Sequence, residues 1–174
     1  MVTMSTQSGS EVIFHDDIVV VESLNIYDIA HALSNLCRFN GHCGEFYSVA
    51  QHSVLVSYHC SNNLEGLMHD APEAYLGDVI SPLKKVLGEL YADLEYSLAR
   101  QIQEKYDLQD WDELPDVMEA DQAVLAAEVR DLMPRQCIEW DTIRGVEPIQ
   151  RKIIPLPPLR AREAFLKRFG QLGG

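Results

Sequence analysis

No apolar run in the chain approaches the roughly 20 residues that a membrane-spanning helix needs. The N-terminal stretch MVTMSTQSGSEVIF lacks the basic flank and long apolar segment of a secretory signal. A cytoplasmic protein without a membrane partner is therefore expected, in a host's cytoplasm if the chain is phage-encoded. The four cysteines, Cys37, Cys43, Cys60 and Cys137, include no Cys-x-x-Cys pair, which excludes a zinc knuckle and a disulfide framework. They read as reduced thiols, most of them buried. Basic side chains are also scarce, 14 Lys and Arg against 27 Asp and Glu, for a net charge of -13. Such a surface repels a phosphate backbone and argues against a nucleic-acid partner.

The basic residues that exist are concentrated at one end. Residues 148–174 carry Arg151, Lys152, Arg160, Arg162, Lys167 and Arg168 against a single acid, Glu163. This C-terminal extension is expected to pack on the acidic body or on another subunit. Apolar residues make up 47% and charged residues 24%, a balance that supports a folded core. With no internal repeat and no linker, one domain over 1–174 is expected, its core at 26–132.

VIF and IVVV, separated by HDD, read as a short hairpin with acids in the turn. Beyond it the apolar spacing is helical nearly everywhere. In NIYDIAHALSNLCRF, Ile26, Ile29, Leu33 and Leu36 recur at helical intervals behind Asn25 as N-cap. Ser48 and Gln51 carry a capping-box signature opening a second helix. LEGLMHDA is a third, which Pro72 must kink or end. Ser81 should cap the helix that begins at SPLKK, with Pro82 in its first turn. The stripe Leu90, Leu94, Leu98, Ile102 marks a long amphipathic helix. ELPDVMEADQAVLAAEVRDLM and LRAREAFLKRF are the last two. The expected fold is all-α, a helical bundle with a small N-terminal β-hairpin.

Several polar residues sit in apolar company. Val117, Met118, Val124 and Leu125 surround Asp121 at helical spacing, and Val49 and Val56 flank His52. His69 and Asp70 follow Leu67 and Met68. A buried lone carboxylate costs several kcal/mol (about 3–5) unless it is paired, protonated or metal-bound. Two histidines and two aspartates on three inward-facing helices are a donor set for a first-row divalent metal: manganese, iron, cobalt, zinc or, less well, magnesium. His15 with Asp16, His31, His42 and His59 fit turn, packing or helix-end roles better than ligation.

The order His52, His69-Asp70, Asp121 resembles the HD-domain metal-dependent phosphohydrolases. HDAPEAYLGDVISPLK is similar to the HD-x-x-E...GD...P-x-K segment of bacterial 5'-deoxynucleotidases and phage dATP triphosphohydrolases. The resemblance covers roughly residues 26–132. It implies an HD-domain bundle with His52, His69, Asp70 and Asp121 as metal ligands, and Glu73 and Asp78 orienting or deprotonating a water. It further implies that Arg38 holds a substrate phosphate and that Phe39 packs on sugar or base, in place of the tryptophan those enzymes carry. Lys84 or Lys85 would touch phosphate, and Ile80 and Pro82 would line a base pocket. The implied activity is hydrolysis of deoxynucleotides, either dATP to nucleoside and triphosphate or dNMPs to nucleoside and phosphate. The cofactor would be zinc, cobalt, manganese or iron, with an additional magnesium for triphosphates, in a homo-oligomer. Another HD enzyme on a different phosphate ester, or a non-catalytic metal-binding module, are the alternatives. Retention of Glu73 and Asp78 argues against the module.

Overall fold

The computed structural model describes residues 2–134 and 140–174, so Cys137 lies outside the described residues. The chain is mainly α, 58% helix against 9% strand. The expected hairpin is there, β2 (Glu11–His15) against β3 (Ile18–Val21), and β1 (Val2–Ser5) extends it into an antiparallel sheet of order β1-β2-β3. Strand alternation gives Val12, Val19 and Val21 to the core, while β1 is exposed throughout and lacks the pattern that would have marked it as a strand.

Helices α1 (Ile26–Asn35) and α2 (Val49–His59) start where their caps place them, Asn25 accepting from the Asp28 N–H and Ser48 from the Gln51 N–H. The remaining helices are α3 (Asn63–Met68), α4 (Glu73–Leu76), α5 (Ser81–Leu87), α6 (Glu89–Tyr106), α7 (Pro115–Leu132) and α8 (Pro158–Gln171). Two details differ from expectation. Only half of the Ser48–Gln51 box forms. The Gln51 amide instead bonds the C-terminal strap, donating to Ile154 O at 2.8 Å and accepting from Leu156 N at 2.7 Å. Ser81 is the first residue of α5 rather than its cap; Ile80 holds the cap position without a side-chain bond, because Pro82 already fits the first turn.

Helix α2 is the hub. It packs on α1, α3, α7 and α8, and eight of its residues, including His52, Ser53 and Ser57, are buried. A helix buried nearly all round shows little amphipathic pattern. The basic C-terminal extension packs inside the chain: α8 lies on α1 and α2, and Arg168 donates to Ser57 Oγ and O at 2.8 Å while covering the Tyr58 ring. The α6 stripe divides. Leu98 and Ile102 are core, whereas Leu90 is exposed, as are Leu83, Val86 and Leu87 of α5. Ser97 and Gln101 of α6 bond the outer edge of β3 at Val19 and Val21, so the sheet closes that side of the bundle. Among the described residues, no helix is long and apolar enough to cross a membrane.

Candidate metal centre and cavity

Three helices bring the donors together. His52 sits one turn into α2, His69 and Asp70 follow the last turn of α3, and Asp121 is on the second turn of α7. Their register is set by a three-residue α2–α3 connection, Cys60 to Asn62, in keeping with the short interval between the histidines. Asp116 at the start of α7 holds it, accepting from Ser61 N, Asn62 N and Asn62 Nδ2 at 2.8–2.9 Å. One tie thereby aligns α3 with α7. The turn from His69 to Pro72 then carries the chain into α4, so the expected break at Pro72 is seen as a helix end at Met68 and a restart at Glu73.

His52 Nε2 lies 3.1 Å from Asp121 Oδ1 and 3.5 Å from Asp70 Oδ2, and His69 Nε2 lies 3.3 Å from Asp70 Oδ1 and 4.0 Å from Asp121 Oδ1. Two ligand atoms each about 2.1 Å from one ion stand about 3.0–3.4 Å apart at tetrahedral to octahedral angles. Short as these contacts are, neither Nε2 nor Asp70 Oδ2 makes a hydrogen bond within the described residues. The other ring nitrogens are occupied: His52 Nδ1 bonds Glu128 Oε1 at 2.7 Å and His69 Nδ1 bonds Gly66 O at 3.0 Å. An imidazole that donates through Nδ1 turns a free Nε2 lone pair toward the centre, the arrangement that metal-binding histidines use. His52, His69 and Asp70 together can hold a metal ion. Asp121 touches both imidazoles, but its side chain is 38% exposed, because Met118 of the supposed apolar stripe faces outward and the carboxylate opens into a cavity.

Glu128 is the residue that sequence reasoning misses. It is wholly buried two turns after Asp121 on α7, and its carboxylate is shared between His52 and Arg38, accepting from Arg38 Nε at 3.2 Å. The sequence does hold a signal: Glu128 follows Asp121 by seven residues, with Val124 and Leu132 four away on either side. Burial opposes its ionisation, but Arg38 and His52 outweigh burial and hold the carboxyl below its usual range. At His52, burial and Arg38 oppose the imidazolium, yet Glu128 and Asp121 raise its pKa to about 10; a cation at Nε2 would replace that proton. Partial burial opposes ionisation of Asp121, but His52 and His69 outweigh it and hold the carboxyl below the usual carboxylate range.

The two aspartates of the centre open onto a cavity of about 660 Å³. Arg38, Phe39, Glu73, Asp78, Ile80, Pro82, Lys84 and Asp121 all line it, as do Asp70, Lys85 and His42. Glu73 and Asp78 are the anomalous acids. Burial pushes both carboxyls up, reinforced by Asp70, and Glu73 Oε2 and Asp78 Oδ2 lack hydrogen-bond partners among the described residues. A divalent cation beside them would reverse that shift. Arg38 is more constrained than expected: Nε and Nη2 are taken by Glu128, leaving Nη1 with only a 3.6 Å contact to Asp70. Lys84 pairs with Glu95 at 2.6 Å and approaches Glu73 at 3.8 Å, so it is neither a free solvent lysine nor a free phosphate ligand. His15 pairs with Asp16 in the exposed turn, His31 meets Arg162, and His59 bonds Leu55 O at the end of α2; none joins the centre.

No protein-family model matches the chain. It is 40% identical to Uncharacterized protein YfdR of Escherichia coli (strain K12) over 172 residues, 97% of this chain and 94% of that one. It is also 38% identical over 96 residues to an uncharacterized protein of Rhodobacter capsulatus, about half of each chain (49%). The protein belongs to the YfdR family. Neither relative's name carries an activity.

Proposed function

We propose that the chain is a metal-dependent phosphohydrolase of the HD type that acts on deoxynucleotides. The observation that carries this reading is the convergence of His52, His69, Asp70 and Asp121 beside a cavity that Asp70 and Asp121 line together with Glu73 and Asp78, whose Oε2 and Oδ2 atoms lack hydrogen-bond partners among the described residues. Buried polar atoms normally find partners, and three such carboxylate oxygens on one cavity lining, with two imidazole Nε2 atoms within 3.5 Å of Asp70, call for a ligand. The lining carries five carboxylates, Asp70, Glu73, Asp78, Asp121 and Asp141, against three cations, Arg38, Lys84 and Lys85. An anionic substrate would enter that field only with a cation to offset it.

When bound, a divalent ion supplies charge neutralisation at phosphate and lowers the pKa of a water to about 7. The chain's own residues do the rest. Glu128 fixes the His52 ring and keeps Arg38 in place. Arg38 Nη1, the one guanidinium nitrogen free of Glu128, offers a donor to a phosphate oxygen. Glu73 and Asp78 accept the proton of the attacking water and return one to the leaving oxygen. Lys84, tethered by Glu95, adds positive charge at the cavity wall.

Incubation with manganese, cobalt or magnesium and a panel of dNMPs, dNTPs and ribonucleotides, with products resolved by ion exchange, tests the proposal. Triphosphate released from dATP assigns a triphosphohydrolase, and orthophosphate released from dNMPs assigns a 5'-nucleotidase. Metal binding without turnover of any of them sinks the deoxynucleotide reading.

A further inference from the structure

The cavity lining is of two kinds. One is the charged set just described; the other is apolar and includes two half-buried rings, Phe39 and Trp140. Their centroids are 5.8 Å apart and their planes are inclined by 57°, so the rings do not stack on each other. Phe39 is held there at a cost. It and Asn40 both adopt left-handed backbone conformations, φ 57 and φ 50, which non-glycine residues keep only when their surroundings impose them. The imposing bonds are Arg38 N to Tyr47 O and His42 N to Phe39 O, each 2.9 Å. They place the Phe39 ring between the Arg38 guanidinium, 5.5 Å from its centroid, and the Trp140 indole. Ile80, Pro82, Leu125 and Met133 add apolar surface to the same cavity.

A small anion would use the charged groups and leave this apolar surface wet. A volume of about 660 Å³ lies within the range for drug-sized ligands, and an aromatic side chain on such a lining offers a flat heteroaromatic ring an offset-stacked or edge contact. We propose that Trp140, with Phe39, is a specificity-determining residue that stacks on a planar heteroaromatic base. The substrate class is then a phosphate ester carrying such a base, and a sugar phosphate without one is discriminated against. Trp140 comes from the segment after α7, and its indole lies beside the ring at position 39, adding a second aromatic surface to the cavity lining. The turnover arm rests on the phosphohydrolase reading; the binding arm does not.

The chain has two tryptophans, and Trp111 is buried in the core. A Trp111→Phe variant therefore leaves Trp140 as the single indole reporter. With magnesium present, stopped-flow mixing with deoxyadenosine 5'-monophosphate should quench it saturably, and 2-deoxyribose 5-phosphate should not. Calorimetric titration of the otherwise native chain provides the second arm. Trp140→Ala should weaken binding of deoxyadenosine 5'-monophosphate about 10- to 100-fold while leaving 2-deoxyribose 5-phosphate unchanged, and Trp140→Phe should restore most of the loss. Equal responses to the two ligands, an equal loss for both in Trp140→Ala, or no quench by either would overturn the proposal. Quenching without phosphate release under any metal would leave the stacking role standing and remove the hydrolase reading. Equal turnover of both ligands, insensitive to Trp140→Ala, would do the reverse.

Discussion

Two buried acid clusters in this molecule differ in how they are satisfied. Asp28, at the N-terminus of α1, is nearly inaccessible, and its carboxylate accepts from Ser8 N at 2.9 Å, Ser8 Oγ at 2.6 Å and Asn25 Nδ2 at 2.8 Å. Asn25 caps the Asp28 N–H in return, so one reciprocal pair ties the loop after β1 to the first helix. At the other cluster, Asp70 Oδ2, Glu73 Oε2 and Asp78 Oδ2 are just as enclosed but receive no bond within the described residues. An acid buried for architecture is closed by the chain's own donors. On the proposed function, an acid left open is one that a ligand closes, and the fold tolerates its penalty for that reason.

The open cluster should respond most sharply to substitution. Asp121→Ala should abolish metal retention, measured by elemental analysis after dialysis, and turnover with it; retained activity would refute the ligand set. Glu128→Gln comes next. It keeps the shape but loses the charge shared by His52 and Arg38, and metal affinity should fall about 10- to 100-fold, as for other residues that orient a ligand from behind. An unchanged Kd would mean that His52 holds its tautomer without Glu128.

At the closed cluster the effect is on stability. Asp28→Ala should cost about 1–3 kcal/mol, because Ser8 and Asn25 lose their acceptor, read from urea midpoints at neutral pH. The pH dependence has a definite sign. Burial opposes ionisation of Asp28, but bonds from Ser8, Thr6 and Asn25 bring its pKa below the ordinary 3.8. Its charge-dependent stability is therefore fully present above 3.8 and is lost as pH falls through the lower folded value. The gap between wild type and Asp28→Asn should narrow across that interval, and a constant gap would contradict the assignment. The smallest effect has the opposite sign. Asp78→Asn removes an unpartnered buried charge and should stabilise the chain in chelator by about 0.5–2 kcal/mol, while lowering turnover. Destabilisation there would mean that Asp78 is already satisfied and belongs with Asp28.

The two clusters were not equally legible. His52, His69, Asp70 and Asp121 stood out because acids and histidines interrupt apolar helical spacing. Yet the neighbours of Asp121 describe its surroundings only in part, since Met118 is exposed and the carboxylate faces a cavity rather than core. Gln51 matched a capping signature but bonds a strap more than 100 residues away in sequence, at Ile154 and Leu156. Local pattern describes which groups neighbour one another along a helix; it is silent on partners brought in by packing.

By itself, the sequence determined the main helices through apolar period, caps and prolines, because those depend on residues a few positions apart. It also determined which side chains were too polar for their surroundings. Only the tertiary structure decided that Glu128 backs His52 across 76 residues, that Glu128 also holds Arg38, and that Trp140 packs beside Phe39. Those relations come from how α2, α7 and the C-terminal segment pack, and packing is a property of the whole core rather than of any stretch of chain.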